Sequence, residues 1–242
     1  PDEWGRRLFE LLLRLFAAGE AVRVAIDDTL APKKGPHVFG IGSHIDAVRS
    51  RRRQKIFCFG HCWVVLAVLV RVPFSHRSWA LPVLLRLYRT KSECKKRKKQ
   101  PYRKKTELAR EMLDILVIWC GERLVEISAD SAYCNDTVTH GLSERVILFG
   151  AMRPDAVLTE APLQREDKTR GRPRKRGAVM RKPQVLAADG RTRWQTCSVL
   201  LYGIQRTVHY KTCVAQWYRA CGTRLLRVVV VREEQGAIGL RT

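Results

Sequence analysis

Apolar residues recur with helical spacing in two segments of the chain, and both segments end at a glycine. The first segment is 3–18, and its apolar residues form one stripe along a helix: Trp4, Leu8, Leu11, Leu12, Leu15 and Phe16. The second segment begins at Thr106-Glu107, and its stripe is made of Leu108, Met112, Ile115, Leu116 and Trp119. Residues three and four apart share one face of a helix, so each segment predicts an amphipathic helix that ends at Gly19 or Gly121.

Shorter apolar runs predict strands around these helices. Val22, Val24 and Ile26 alternate with other residues and lead into Asp27-Asp28-Thr29, which predicts a strand that ends at the two acids. Residues 56–72 are apolar almost throughout, as in a strand buried on both faces, and residues 79–88 fit a strand or a short helix. Residues 123–129 and 146–149 predict two more strands, with a short helix at 137–142 between them.

From Trp194 onward the pattern is that of strands alone. Residues 194–201, 208–217 and 225–231 are strand-like, and turns are expected at Gly203 and Gly222. The sequence therefore predicts an α/β fold, with a mixed sheet flanked by helices, followed by a mostly antiparallel β region. The expected organisation is a core at 1–160, a basic linker at 161–192 and a β-rich region at 193–242.

The composition narrows the class of protein. A hydrophobic content of 45% over 242 residues suffices for a buried core. Eight cysteines without a C-x-x-C pair indicate free thiols in a reducing cytoplasm. The apolar run at 62–70 is nine residues long, too short to cross a bilayer, so we expect no membrane partner. Because the sequence lacks an initial Met, we expect an internal piece of a longer chain.

The charge is concentrated in three stretches. The chain carries 46 Lys and Arg against 23 Asp and Glu, and residues 49–55, 89–105 and 165–182 hold five, ten and nine of the basic residues. Patches of this kind favour a polyanion, DNA or RNA. The candidate DNA-binding residues are Arg51, Arg52, Arg53, Lys95, Lys96, Arg97, Lys98, Lys99, Arg170, Arg172, Arg174, Lys175 and Arg176.

The third stretch contains a short motif, Arg170-Gly171-Arg172-Pro173, which resembles the core of an AT-hook. In such a motif the slim Gly-Pro backbone lets arginine side chains enter a narrow minor groove. The other interpretation is a flexible basic linker that contacts phosphates without reading the groove.

Carboxylates follow two of the predicted strands. Asp27 and Asp28 follow the first, and Asp130 follows the strand at 123–129. Carboxylate oxygens suit Mg²⁺ or Mn²⁺, and a pair of such ions supports phosphodiester cleavage. The alternative is structural, since an aspartate at these places can cap a loop or a helix. Spacing alone does not separate the two interpretations.

A zinc site is a weaker hypothesis. Cys58, His61 and Cys62 offer half of a ligand set, but a second pair with suitable spacing is missing. Their segment is also predicted as a buried strand, so we expect these side chains to pack in the core.

Four segments together resemble the DDE transposases of bacterial insertion sequences. They are Val24-Ala25-Ile26-Asp27-Asp28-Thr29, Phe39-Gly40-Ile41-Gly42-Ser43-His44-Ile45-Asp46, Gly60-His61-Cys62-Trp63-Val64-Val65 and Ala129-Asp130-Ser131-Ala132-Tyr133. The resemblance implies an RNase H-like domain in which two Asp and one Glu hold two Mg²⁺ ions. It also implies nicking of DNA at transposon ends and transfer of the 3′-hydroxyl into target DNA, by a protein that can act as a homodimer on paired ends. The implied location is the bacterial cytoplasm, at the nucleoid.

By this resemblance Asp130 is the second acid and the Asp27-Asp28 pair supplies the first, with the choice between the two open. The third acid of the family lies on a later helix, beyond Thr242. Glu233 and Glu234 are expected in a turn and are poor substitutes. We therefore expect a transposase truncated at both ends and inactive as it stands; the alternative function is a non-catalytic, AT-hook-like DNA-binding module.

Overall fold

The architecture is that of a computed structural model, which describes residues 2–35, 37–51, 53–75, 77–96, 101–162, 174–201 and 203–233. The chain divides into two compact units. The first comprises residues 1–133 and 141–150, and the second comprises residues 134–140 and 151–242.

The first unit is a mixed sheet with helices packed on it. Its strands are β1 (Val22–Pro32), β2 (Gly42–Ile45), β3 (Phe57–Arg71), β4 (Ser78–Tyr88), β5 (Val125–Ala129) and β6 (Val146–Gly150). Its helices are α1 (Asp2–Leu13), α2 (Lys91–Lys96), α3 (Lys105–Cys120) and a single 3₁₀ turn at Ser131–Tyr133.

Strand order in this sheet is β2-β3-β1-β5-β6, and β4 pairs with β3 beyond the end of β2. β1 is antiparallel to β3 and parallel to β5, while β6 is parallel to β5. This arrangement confirms the predicted fold class, a mixed α/β sheet flanked by helices. The predicted strand at 79–88, left open between strand and helix, is β4.

Strand β1 is longer than its sequence pattern predicts. The alternation of Val22, Val24 and Ile26 suggested an end at the two acids, but β1 continues to Pro32. The reason is β3, which has 15 residues and pairs with β1 from Val24↔Val68 to Pro32↔Gly60. β5 stops at Ala129, opposite Ile26. Asp27 and Asp28 therefore lie inside β1, beyond the end of its parallel neighbour.

Helix α3 buries the face that its stripe predicts, whereas α1 forms as predicted but buries a different face. In α3 the side chains of Leu108, Met112 and Leu116 are buried. In α1 the buried residues are Gly5, Phe9 and Leu12; Trp4 is 81% exposed, and Leu8, Leu11 and Leu15 are exposed as well. The helix also ends at Leu13, short of the predicted residue 18.

Close approach of α1 to the sheet explains its orientation. A Cβ atom on Gly5 would lie 2.0 Å from the carbonyl oxygen of Val83, and Phe9 packs against Trp119 with 5.8 Å between ring centroids. A stripe of large apolar residues cannot reveal this contact, because the residue that permits it has no side chain. The buried face is therefore the one that carries Gly5 together with Phe9 and Leu12.

The second unit contains a three-stranded antiparallel sheet, as predicted for the C-terminal region. Its strands are β7 (Gln195–Leu201), β8 (Ile204–Gln216) and β9 (Leu225–Glu233), in the order β7-β8-β9. Its helices are short: α4 (Asp136–Thr139), α5 (Pro183–Ala188) and α6 (Tyr218–Cys221). Glu233 ends β9 opposite Val208 instead of lying in the expected turn, and Glu234 is outside the described residues.

A buried lysine ties α5 to this sheet. Lys211 is 1% exposed, and its ammonium donates to the carbonyl oxygens of Leu186 at 3.0 Å and Asp189 at 2.6 Å. Carbonyls at a helix end carry partial negative charge, so they compensate the buried cation. The same ammonium lies 4.5 Å from the ring centroid of Trp194.

Among the described residues, no helix is long and apolar enough to cross a membrane.

We predict that Gly5→Ala destabilises the protein by about 1–3 kcal/mol, the usual range for overpacking. Ala in an exposed helix interior would instead stabilise by up to about 1 kcal/mol, so the sign reports the contact with Val83. Urea unfolding measures the difference. Leu11→Ala, on the exposed face of the same helix, is the control and should change stability by less than about 0.5 kcal/mol. A stabilising Gly5→Ala would contradict the observed packing of α1.

Candidate active site

Strand β1 presents its two aspartates to opposite faces of the sheet. Asp28 follows Val22, Val24 and Ile26 on the face that is buried, whereas Asp27 is exposed on the other face. Asp28 pairs with Val64 of β3. Because alternate residues of a strand point to opposite sides, one of the two acids faces the side of the sheet that the core covers.

The Asp28 carboxylate is held by three side chains from three other elements. Oδ2 accepts a hydrogen bond from the Lys105 ammonium at 2.7 Å and from the Cys62 thiol at 3.6 Å. Oδ1 accepts from the Tyr133 hydroxyl at 3.0 Å. The side chains of Asp28 and Lys105 are 28% and 33% exposed, so solvent reaches this ion pair from one side.

These contacts set the charge states of the cluster. Burial alone would raise the pKa of Asp28, but Lys105, Tyr133 and Cys62 stabilise the carboxylate, and the pKa lies below its usual value. Burial would lower the pKa of Lys105, yet the bond to Asp28 raises it. Burial and the nearby carboxylate both raise the pKa of the Tyr133 hydroxyl. At neutral pH the cluster is an ion pair with a protonated phenol.

Asp130 is the residue directly after β5, and β5 is the parallel neighbour of β1. Ile26 is paired with Ala129, so Asp27 and Asp130 are the next residues of two parallel strands. Asp130 is exposed, and its Oδ1 accepts the backbone N–H of Ser131 at 2.6 Å. The 3₁₀ turn that follows carries Tyr133 to Asp28. The fold thus brings the predicted acids of β1 and β5 to one region of the sheet.

The carboxylate oxygens of Asp28 and Asp130 are of the kind that binds a divalent cation, but these two acids do not complete a site. An ammonium already sits against Asp28, which shows that the carboxylate attracts a cation in this position. In the part of the chain that the structure describes, no three His, Cys, Asp or Glu residues form a metal-ligating group. Cys62 and His61 do not contribute to one: the thiol donates to Asp28, and His61 Nε2 bonds the Phe39 carbonyl at 2.8 Å.

The basic candidates divide into two groups. Those with exposed side chains are Arg51, Arg53, Lys95, Lys96, Arg174, Lys175 and Arg176. Those outside the described residues are Arg52, Arg97, Lys98, Lys99, Arg170 and Arg172, and the AT-hook-like core falls among them. Of the exposed group, Arg176 also lies over the Tyr218 ring, 4.9 Å from its centroid.

Three other basic residues of the stretch at 89–105, which are not among these candidates, are partly buried. Lys105 bonds Asp28, and Arg103 bonds Glu111. The Arg89 guanidinium lies 5.9 Å from the Phe39 ring centroid, beside a cavity of about 300 Å³. Sequence reasoning missed the contact of Lys105 with Asp28, because a lysine within a basic run carries no signal that distinguishes it from its neighbours.

Arg86 joins the elements around this region. Its guanidinium donates to Asp2 of α1 and to Glu111 of α3, each at 2.8 Å. Its side chain is 17% exposed. Bidentate and charge-assisted bonds of this kind hold two helices in register with β4. Since α3 begins at Lys105, the network also fixes the start of the helix that supplies this lysine.

Comparison with known proteins assigns the family. The family model described as DDE superfamily endonuclease matches residues 1–207. The chain belongs to the DDE superfamily endonucleases. The expectation of a DDE-type protein is thereby confirmed, and the assignment supports a nuclease-type enzyme that acts on DNA and uses divalent metal ions. No curated protein and no solved structure is significantly similar to the chain.

We predict that Glu111→Gln lowers the free energy of unfolding at pH 7 by roughly 1–3 kcal/mol, the range for charge-assisted hydrogen bonds. Burial would raise the pKa of Glu111, but Arg86 and Arg103 lower it below its ordinary value of 4.5. The stabilisation is therefore present above about pH 4.5 and is lost as pH falls through the lower folded-state pKa. Urea unfolding at several pH values measures it.

The control for Glu111 is Asp114→Asn in the same helix. Asp114 pairs with Arg110 four residues away at 2.9 Å, and its side chain is 55% exposed. Such a pair contributes about 0.5 kcal/mol or less. Equal losses in the two variants would show that Glu111 has no special role.

Proposed function

We propose that this DDE superfamily endonuclease is a transposase that cleaves DNA strands and transfers the 3′ ends into target DNA. The observation that carries the proposal is the Asp28 carboxylate, oriented by three side chains on a central strand, with Asp130 at the end of the adjacent parallel strand. The face of β1 that carries Asp28 is otherwise buried and apolar from Val22 to Ile26. A catalytic role explains why this position carries an acid.

Asp28 and Asp130 are the proposed ligands of Mg²⁺ or Mn²⁺, and Asp28 is favoured over Asp27 because its carboxylate faces the clustered side chains. Two such ions, when bound, activate the attacking oxygen and stabilise the leaving oxygen of a phosphodiester. A third acid is required for a complete site in this proposal, and the described residues do not supply it. Asp27 bonds the N–H of Asp28 at 2.8 Å and has a local structural role.

The other residues of the proposed site either orient the Asp28 carboxylate or attract DNA. Tyr133 donates to Oδ1 of Asp28 and fixes the rotation of the carboxylate. The exposed basic residues, including Arg51, Lys95 and Arg174, are proposed to bind DNA phosphates. The proposed substrates are insertion-sequence ends and target DNA, with two copies of the protein on paired ends in the bacterial nucleoid.

We expect nicking of supercoiled plasmid that requires Mg²⁺ or Mn²⁺ and both acids. The assay is run on this chain and on a longer form that continues past Thr242. In the active form, Asp28→Asn and Asp130→Asn should each lower the rate by at least about 100-fold, since each removes a ligand of the ions that stabilise the transition state. Asp114→Asn is the control and should leave the rate unchanged. Nicking that survives Asp130→Ala would refute the proposal.

DNA affinity should depend steeply on salt, because each phosphate contact releases a counterion. Replacing Arg174, Lys175 and Arg176 with Gln should reduce the slope of log K against log salt by about 2.7, at about 0.9 for each lost contact. Fluorescence anisotropy with labelled duplex measures the slope. The matched control removes the same charge from Arg6, Arg7 and Arg110, which pair with acids on their own helices. Equal slopes in both triple variants would indicate that net charge alone determines the affinity.

A further inference from the structure

Large apolar side chains lie exposed on the face of the sheet opposite to Asp28. Phe57 and Phe59 of β3 are 63% and 65% exposed, and Ile45 of β2, which pairs with Phe57, is 52% exposed. Alternate residues of a strand point to opposite sides, and the next residue on the other side, Gly60, is buried. We call the three exposed side chains Ile45, Phe57 and Phe59 the aromatic surface.

The two phenylalanines are spaced as an extended nucleic-acid strand requires. Residues two apart on a strand are separated by about 6.8 Å, twice the rise of about 3.4 Å per nucleotide in a B-DNA strand. His61 and Trp63 continue the row on the same side of β3, with 6.1 Å between their ring centroids. Each exposed ring can therefore take one base of a strand that is not wound into a duplex.

The loop from β2 to β3 adds positive charge beside the aromatic surface. Arg51, Arg53 and Lys55 in this loop have exposed side chains. The two ends of the loop are joined, because the Asp46 N–H donates to the Ile56 carbonyl oxygen at 2.9 Å. Since the loop starts directly after Ile45 and ends directly before Phe57, its cations lie next to the exposed rings.

This combination of groups fits an unpaired strand better than other partners. Aromatic rings stack on the faces of bases while neighbouring cations contact phosphates, and stacking tolerates any base sequence. In a duplex the base faces are covered by their own neighbours, so the two phenylalanines would have no partner. An apolar protein surface would cover the rings but would not complement the positive loop, whose charge favours a polyanion.

We propose that the aromatic surface and the exposed cations of the neighbouring loop form a binding site for single-stranded DNA. Phe57 and Phe59 stack on successive bases, and Arg51 and Arg53 contact the phosphates. The inference rests on the proposed function for its DNA partner and adds the form of that DNA, an unpaired strand. The site requires no metal ion.

The test is fluorescence anisotropy in EDTA with labelled oligo-dT and, separately, a labelled duplex. Phe57→Ala and Phe59→Ala should each weaken binding of oligo-dT by at least about five-fold, the lower end of the effect of removing one base–ring stack. Phe59→Tyr keeps a ring and should bind like wild type. Phe74→Ala is the control, because Phe74 is 77% exposed in the turn between β3 and β4, away from the basic loop.

Duplex affinity should be unchanged in both alanine variants, because a duplex presents no free base face to the rings. Equal losses of affinity for oligo-dT and duplex would overturn the inference. So would oligo-dT binding that neither alanine variant weakens.

The salt dependence separates stacking from phosphate contact. Replacing Arg51 and Arg53 together with Gln should reduce the slope of log K against log salt for oligo-dT by about 1.4, at about 0.7 for each contact with a single strand. Phe57→Ala should leave the slope unchanged, because a ring releases no counterion. An equal change of slope in the phenylalanine and arginine variants would contradict stacking.

These measurements also separate the inference from the proposed function. If nicking requires both acids but the alanine variants bind oligo-dT like wild type, the endonuclease function stands and the single-strand site is wrong. If the protein binds neither form of DNA, both are wrong. If sedimentation velocity shows that Phe57→Ala converts a dimer into a monomer, the aromatic surface is an interface between copies, and the inference is overturned.

Discussion

The first unit depends on the position of β1 between two strands that run in opposite directions. β3 pairs with it antiparallel over nine residues, and β5 pairs with it parallel over five. The parallel partner ends at Ala129, while the antiparallel partner continues to Gly60. The backbone of Asp28 is thus held by β3 alone on a stretch where the other edge of β1 is open to side chains from the turn after β5.

The cluster at Asp28 follows from that open edge. Tyr133 enters from the turn after Asp130, Cys62 from β3 and Lys105 from the start of α3. Arg86 positions α3 through Glu111 and so affects the site indirectly, through the helix that carries Lys105. A charged group inside a mostly apolar unit is tolerated here because each oxygen of the carboxylate has a donor. The charge of Asp28 is balanced by Lys105, the last residue of the basic stretch at 89–105.

Periodicity predicted the strands well because their partners are apolar on the buried face. Val22, Val24 and Ile26 are all buried, as their alternation indicated. The periodicity failed where a structure depends on a residue without a side chain, or on a partner that is distant in the sequence. Gly5 sets the orientation of α1 through its contact with Val83, and the length of β3 sets the end of β1. Neither cause can be read from the segment that it affects.

The pairing of β1 also determines which kinds of mutation the site can survive. Side chains alternate with a period of two, so inserting or deleting one residue before Asp28 would turn its carboxylate to the opposite face and bring Asp27 inward, unless the strand slipped past β3 and β5 together. A substitution at Val24 changes packing but leaves Asp28 where it is. The register of β1 against its neighbours, more than the identity of its apolar residues, keeps an acid in the cluster.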